Sequence, residues 1–173
     1  TEPVQNQQDT AVTLLAKIIP TCVLQRADSM SDFLASVPFH LMRQLFQEHT
    51  AAWQQALPEL TKQQYSVLCA VAAQPGIEQV DLIDAALSSK ATLAEMLVRM
   101  EKKGLVRRQP GEEDRRRRFI FLTAQGEATL QQATPLASAV DNGFLSRLNI
   151  EQQKQLIGLL QQMSNAPRKE EKK

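Results

Sequence analysis

Ten positively charged side chains fall between residues 88 and 118 of this 173-residue chain: Lys90, Arg99, Lys102, Lys103, Arg107, Arg108 and the run Arg115 to Arg118. Five acids share that window (Glu95, Glu101, Glu112, Glu113, Asp114), so it carries a net +5 and the rest of the chain −4, against a formal total of +1. Clustered guanidinium and ammonium groups suit a polyanion partner, because each neutralised phosphate releases condensed counterions. The same run also makes an ordinary solvated face, so the elements that carry it must decide between the two.

Those elements are readable from caps and periods. Ser88-Ser89 offers two good helix N-caps, Leu93, Met96, Leu97 and Met100 repeat at helical spacing, and Gly104 stops a helix of about residues 89–103. Ahead of it, Val80 to Leu87 forms a short amphipathic segment carrying Leu82, Ile83 and Leu87. After it, residues 105–109 and 117–122 read as strands around the charged tip 110–116. Two short helices, a tight turn and a hairpin make a winged helix-turn-helix lobe, expected over residues 59–122.

Longer helices flank the lobe. Pro38 can start one that runs to about Leu57, with Met42, Leu45, Phe46, His49, Trp53, Ala56 and Leu57 along one stripe. Thr61 to Gln64 reads as a capping box for a second helix, which carries Val67, Leu68 and Val71 before Pro75-Gly76 forces a turn. Thr123 caps a further helix bearing Leu130, Leu136, Val140, Phe144 and Leu148, which Pro135 is expected to kink or break. Asn149 to Gln152 caps a last helix with Leu156, Leu159, Leu160 and Met163. The fold class is therefore mainly α with a small β-hairpin wing. Residues 38–58 and 123–165 form a helical dimerisation region, 1–37 is an extension, partly disordered or in short helices such as 11–19, and 166–173 is a frayed tail.

Composition excludes several classes. At 43% hydrophobic and 23% charged, the chain is globular and can bury a core. No apolar run approaches the roughly 18 residues of a membrane span and no secretory leader is recognisable, so a soluble cytoplasmic protein without a membrane partner is expected. Cys22 and Cys69 stand 47 positions apart with no zinc-like spacing. His40 and His49, nine apart, point to opposite sides of a helix, about 180° from one another, and cannot share a metal. No phosphate-binding loop, nucleophile elbow or dinucleotide fingerprint is present, so neither an enzyme nor a bound cofactor or metal is expected.

The segments ATLAEMLVRMEKKGLVRR and EEDRRRRFIFLTAQGEATL resemble the MarR family of bacterial regulators over about residues 38–165. They match its recognition helix, Glu-Lys-Lys-Gly-Leu-Val strand entry, Asp-x-Arg wing and Leu-Thr-x-x-Gly helix start. The resemblance implies a transcriptional repressor that binds double-stranded operator DNA as an obligate homodimer with interlocked terminal helices. Apolar stripes on those helices exceed what one small module covers and point the same way, although packing within the chain would also use them. A two-fold dimer sets two recognition helices about 34–36 Å apart and requires a pseudo-palindromic site.

With Leu93, Leu97 and Met100 inward, the groove-facing side of the recognition helix carries Ala91, Glu95, Val98 and Lys102, flanked by Lys90, Ala94 and Arg99. Ser88, Ser89 and Thr92 at its N-terminus suit phosphate oxygens. Lys90 can reach a phosphate or guanine edge, Ala91 and Ala94 a thymine methyl, and Glu95 a cytosine amino group. Two departures from the family pattern stand out: Glu95 occupies a position where a basic residue is frequent, and Leu87 replaces a common turn glycine. Glu95 either faces the groove or pairs with Arg99 one turn on. In the wing, Asp114 and Arg116 match Asp-x-Arg, which implies that the carboxylate orients an arginine into the minor groove. Arg115 and Arg117, like Arg118, contact phosphate or remain solvated strand charges.

The resemblance also implies a pocket for a small aromatic carboxylate or phenol. Candidates are Arg43 and His40, three apart on one helix face, with Trp53 and Tyr65 as ring contacts; Arg43 is as often an interface salt bridge, and Trp53 and Tyr65, like His49, are more often core or dimer seam. A peroxide-sensing branch of the family carries a reactive cysteine near the start of the first long helix. Here that stretch is Val37-Pro38-Phe39-His40, so a thiol-based redox-sensing regulator is disfavoured, Cys22 remaining a route only if the extension folds back beside a cation. The rival outside gene regulation is a winged-helix protein-protein assembly module without DNA binding, against which the clustered cations argue.

Overall fold

A computed structural model describes residues 30–164, with side chains from Phe33 onward. The helix expected at 11–19, Cys22 and the tail 166–173 lie outside the described residues. The chain divides into two compact units, one ending at Thr50 and the other beginning at Ala51.

In the first unit, α1 (Met30–Ala35) precedes the N-terminal part of α2 (Pro38–Ala56). Pro38 takes the first helical position, where its missing N–H is not needed. The expected apolar stripe of α2 lies open here, with Leu45 and Phe46 both exposed.

The second unit holds the core. At the end of α2 the buried Trp53 donates its indole N–H to the Leu60 carbonyl at 2.7 Å, folding the segment after Pro58 back onto the helix. The expected capping box then starts α3 (Lys62–Ala73): the Thr61 hydroxyl accepts from the Gln64 N–H at 3.2 Å, and the Gln64 side chain accepts from the Thr61 N–H at 3.1 Å. Val67, Leu68 and Val71 on α3 are fully buried beside Leu82 of α4 (Leu82–Ala86) and Leu93, Leu97 and Met100 of α5 (Lys90–Lys102).

Strands β2 (Val106–Pro110) and β3 (Arg118–Leu122) form the hairpin, one residue later than expected at each start. A third strand, β1 (Ile77–Glu78), was not expected; a 3-10 turn (Gln79–Asp81) links it to α4. The sheet order is β1-β3-β2, antiparallel throughout, with Ile77 opposite Ile120 and Arg108 also opposite Ile120. Ile120 is thereby central and fully buried.

Thr123 starts α6 (Ala124–Leu145) by accepting from the Gly126 N–H at 3.0 Å. Pro135 does not break this helix, which runs through it unbroken with the proline exposed and one ladder donor lost. The face of α6 turned to the core is Leu130, Ala133, Ala137 and Val140, whereas Leu136 is exposed, contrary to the expected stripe. The reciprocal Asn149–Gln152 cap opens α7 (Ile150–Ser164), none of whose side chains is buried.

Candidate nucleic-acid interface

Helix α5 is anchored by one face and open on the other. Leu93, Met96, Leu97 and Met100 are buried, Ala94 and Val98 are half-buried, and Lys90, Ala91, Thr92, Glu95, Arg99 and Lys102 are exposed. Ser89 is the N-cap, its hydroxyl accepting from the Thr92 N–H at 3.2 Å and meeting the Thr92 hydroxyl at 2.9 Å. The remaining N-terminal N–H groups and the helix dipole face outward with Lys90, an arrangement that suits an anion. Among the described residues Glu95 forms no ion pair with Arg99, whereas Lys103 pairs with Glu59, Arg108 with Glu101 and Arg117 with Glu78. Its carboxylate therefore stays on the open face.

The turn between α4 and α5 corrects one expectation. Leu87 donates to the Asp84 carbonyl at 3.2 Å and Ser88 to the Ile83 carbonyl at 3.3 Å, the paired bonds of a Schellman helix stop. This stop needs a left-handed residue, and Leu87 supplies it at φ 47° and ψ 46°, a conformation that costs an L side chain about 1–2 kcal/mol. The same turn swings the Ser88 hydroxyl inward, where it is enclosed and has no hydrogen-bond partner among the described residues. Ser88 does not present that oxygen to a phosphate, and the capping role falls to Ser89 alone.

In the wing the arginines divide. Asp114 accepts from the Arg116 backbone N–H at 2.9 Å, and the Arg117 N–H donates to the Asp114 carbonyl at 3.1 Å, so the carboxylate shapes the tip through main chain and not by gripping a guanidinium. Arg115 and Arg116 are exposed and have no side-chain partner among the described residues. Arg117 is engaged: its Nε and terminal nitrogen donate to Glu78 Oε2 at 3.0 and 2.5 Å, and its guanidinium lies 5.2 Å from the Phe119 ring centre. That bond holds the Glu78 carboxyl below its ordinary range. Arg118 donates to the carbonyls of Arg115 and Arg117, and Arg107 stacks 4.3 Å over Phe121. A cleft between α5 and the wing root gathers Lys90, Leu93, Glu78, Arg116, Arg117 and Arg118.

Behind this surface the joint is tight. Glu101 on α5 accepts from the Arg108 backbone N–H at 3.1 Å and from its guanidinium at 2.8 and 2.6 Å, which lowers the Glu101 carboxyl from its ordinary range despite opposing burial. Gly104 turns the chain at φ +70°, its carbonyl accepting from the Thr123 hydroxyl. Gly126 sits so close to Leu105 that a Cβ there would overlap the Leu105 carbonyl. Glu78 and Glu101 escaped the sequence reading because their partners are set by tertiary structure, Arg117 lying 39 positions from Glu78. Leu87 did carry a signal, since a glycine is favoured where it stands.

Of the ligand candidates, Trp53 and Tyr65 come together edge to face, 5.4 Å between ring centres and 63° between planes, within the second unit. Trp53 is core, with its N–H already engaged by Leu60. A hydrogen bond with Thr134 favours the ionised Tyr65 phenol, but burial and the Cys69 thiol outweigh it and push the group above its ordinary range. His40, half-buried, and Arg43, exposed, share one face of α2 in the first unit.

Comparison with known proteins agrees with this fold. The model of the MarR family matches residues 60–117. The transcriptional regulator HosA of Escherichia coli O157:H7 is 56% identical over 132 residues, covering 76% of this chain and 98% of that protein. The HTH-type transcriptional repressor NicR of Pseudomonas putida is 32% identical over 126 residues, covering 72% of this chain and 80% of that one. Among solved structures, BpsR of Bordetella bronchiseptica, whose DNA binding is regulated by 6-hydroxynicotinic acid, superimposes with a TM-score of 0.72 at 30% identity, covering 77% of this chain and 96% of that chain.

Proposed function

Because this chain belongs to the MarR family of transcriptional regulators, we propose that it is a repressor that binds a pseudo-palindromic operator as a homodimer. A small aromatic acid or phenol releases it. The observation that carries the DNA reading is the single cleft onto which Lys90, at the Ser89-capped start of α5, and the unpartnered Arg116 both open. Ser89, Thr92 and Lys90 take phosphate oxygens, Ala91, Ala94 and Glu95 face base edges with Arg99 beside them, Arg116 reaches the minor groove and Arg115 contacts phosphate. Dimerisation is supported by the exposed apolar side chains Leu45 and Phe46 on α2 and Ile157, Leu159, Leu160 and Met163 on α7. A gel-shift titration of duplex DNA at several salt concentrations tests the core claim: affinity falls steeply with salt, and salt-independent or absent binding refutes it.

The ligand reading is supported by BpsR, which responds to an aromatic acid, and the repressor reading by NicR. On this chain we assign the carboxylate to the Arg43 guanidinium, with the His40 ring as a hydrogen-bonding neighbour. Release then follows from tighter ligand binding to a dimer whose recognition helices are wrongly spaced. A thermal-shift screen of aromatic acids and phenols checks this: a ligand raises the melting temperature of the wild type, and Arg43→Ala abolishes the shift.

A further inference from the structure

Leu87 combines two features that a folded chain has no internal use for. Its side chain is 87% exposed, the most exposed of the large apolar residues described. Its backbone is the only non-glycine position with positive φ among the described residues, at a helix stop where glycine is favoured and unstrained. A glycine would relieve the backbone and remove apolar surface from water at once. Nothing inside the protomer offsets keeping a leucine there, so its use lies in a contact outside it.

The location indicates which contact. Leu87 stands two residues before the Ser89 cap and three before Lys90, at the entry of the recognition helix, and its neighbours Asp84, Ser89, Lys90, Ala91 and Thr92 are all exposed and mostly polar or charged. A second copy of the chain would be expected to seat on a continuous apolar patch, such as those on α2 and α7, and not on one leucine among polar groups. Duplex DNA offers the matching mosaic: apolar deoxyribose carbons and thymine methyls set between phosphates. We propose that Leu87 packs against this apolar surface of the bound duplex at the mouth of the groove, and that it adds affinity without adding a phosphate contact. This rests on the DNA-binding reading above.

The test uses the full chain and the duplex that the wild type enriches from a random-sequence pool. Leu87→Gly is expected to melt at or above the wild-type temperature, because it relieves the left-handed strain, yet to bind about tenfold more weakly. The slope of log affinity against log salt stays at the wild-type value, since no cation is lost. Leu87→Met keeps affinity within about twofold. With deoxyuridine in place of thymidine, the Leu87→Gly deficit disappears if the methyl is the partner and persists if the sugar is; either supports the contact. Unchanged affinity in Leu87→Gly overturns the proposal. So does a lowered melting temperature, which would make Leu87 structural, and so does a loss of affinity that tracks conversion to monomer. A wild type that enriches no duplex overturns the DNA-binding reading itself, and this inference with it.

Discussion

The tip and the root of the wing carry the same residue type and use it in opposite ways. At the root, Arg108 is held by Glu101, Arg117 by Glu78, Arg118 by two carbonyls and Arg107 by the Phe121 ring. At the tip, Arg115 and Arg116 extend from a turn shaped by Asp114, and their side chains make no hydrogen bond or ion pair among the described residues. A guanidinium already neutralised by a carboxylate releases no counterion when DNA arrives, whereas a free one does. The run of four consecutive arginines is thus two free tip charges and two brackets. Arg108–Glu101 ties the hairpin to α5 and Arg117–Glu78 ties it to β1, and Arg116 and Lys90 open on one cleft.

Four substitutions probe this division, from the largest effect downward. Gly126→Ala drives a methyl group into the Leu105 carbonyl where α6 crosses the start of β2; we expect a loss of about 3 kcal/mol, read as a large fall in melting temperature, and a near-normal melt would show that the root tolerates movement. Glu101→Gln leaves Arg108 without its charged acceptor and lowers stability by about 1–2 kcal/mol, while affinity per folded protein and the salt slope remain at wild-type values. A changed slope would mean that the root is part of the electrostatic surface.

The other two act on DNA. Arg116→Ala leaves the melting temperature unchanged, weakens binding to every sequence and reduces the salt slope by about one unit. Arg117→Ala, its neighbour, leaves the slope unchanged because Glu78 already neutralises it; a drop equal to that of Arg116→Ala would erase the distinction between root and tip.

Acid should separate the same two regions. The folded carboxyls of Glu78 and Glu101 lie below their ordinary value of 4.5, so the stability they contribute is fully present above that value and is lost as pH falls through it toward the folded values. Melting curves taken downward from neutral pH are expected to show this loss in the wild type. In Glu101→Gln the acid-induced part of the loss is smaller, and an identical pH profile would show that the Glu101–Arg108 bracket carries none of it.

Much of this protein was legible because it is local. Thr61 with Gln64, Ser89 with Thr92, Thr123 with Gly126 and Asn149 with Gln152 each satisfy a helix end within three residues, so composition at those positions suffices to place four helix starts. The repeat of Leu93, Met96, Leu97 and Met100 likewise sets which side of the recognition helix is open, because a helix has one period and the core takes the apolar face.

Tertiary structure decided what the local pattern left open. Strand β1 is only two residues long and exists because Ile77 and Glu78 meet Ile120 and Phe119 far along the chain. Ser88 and Ser89 are chemically alike, yet the left-handed Leu87 turns one hydroxyl inward and leaves the other to cap the helix. Pro135 remains inside a continuous α6 with its ring in the open. The sequence by itself determined that this chain concentrates positive charge on a helix and a hairpin. Which of those charges are free was decided only when β1 brought Glu78 to Arg117 and α5 brought Glu101 to Arg108, because an ion pair depends on distance in space and not on separation along the chain.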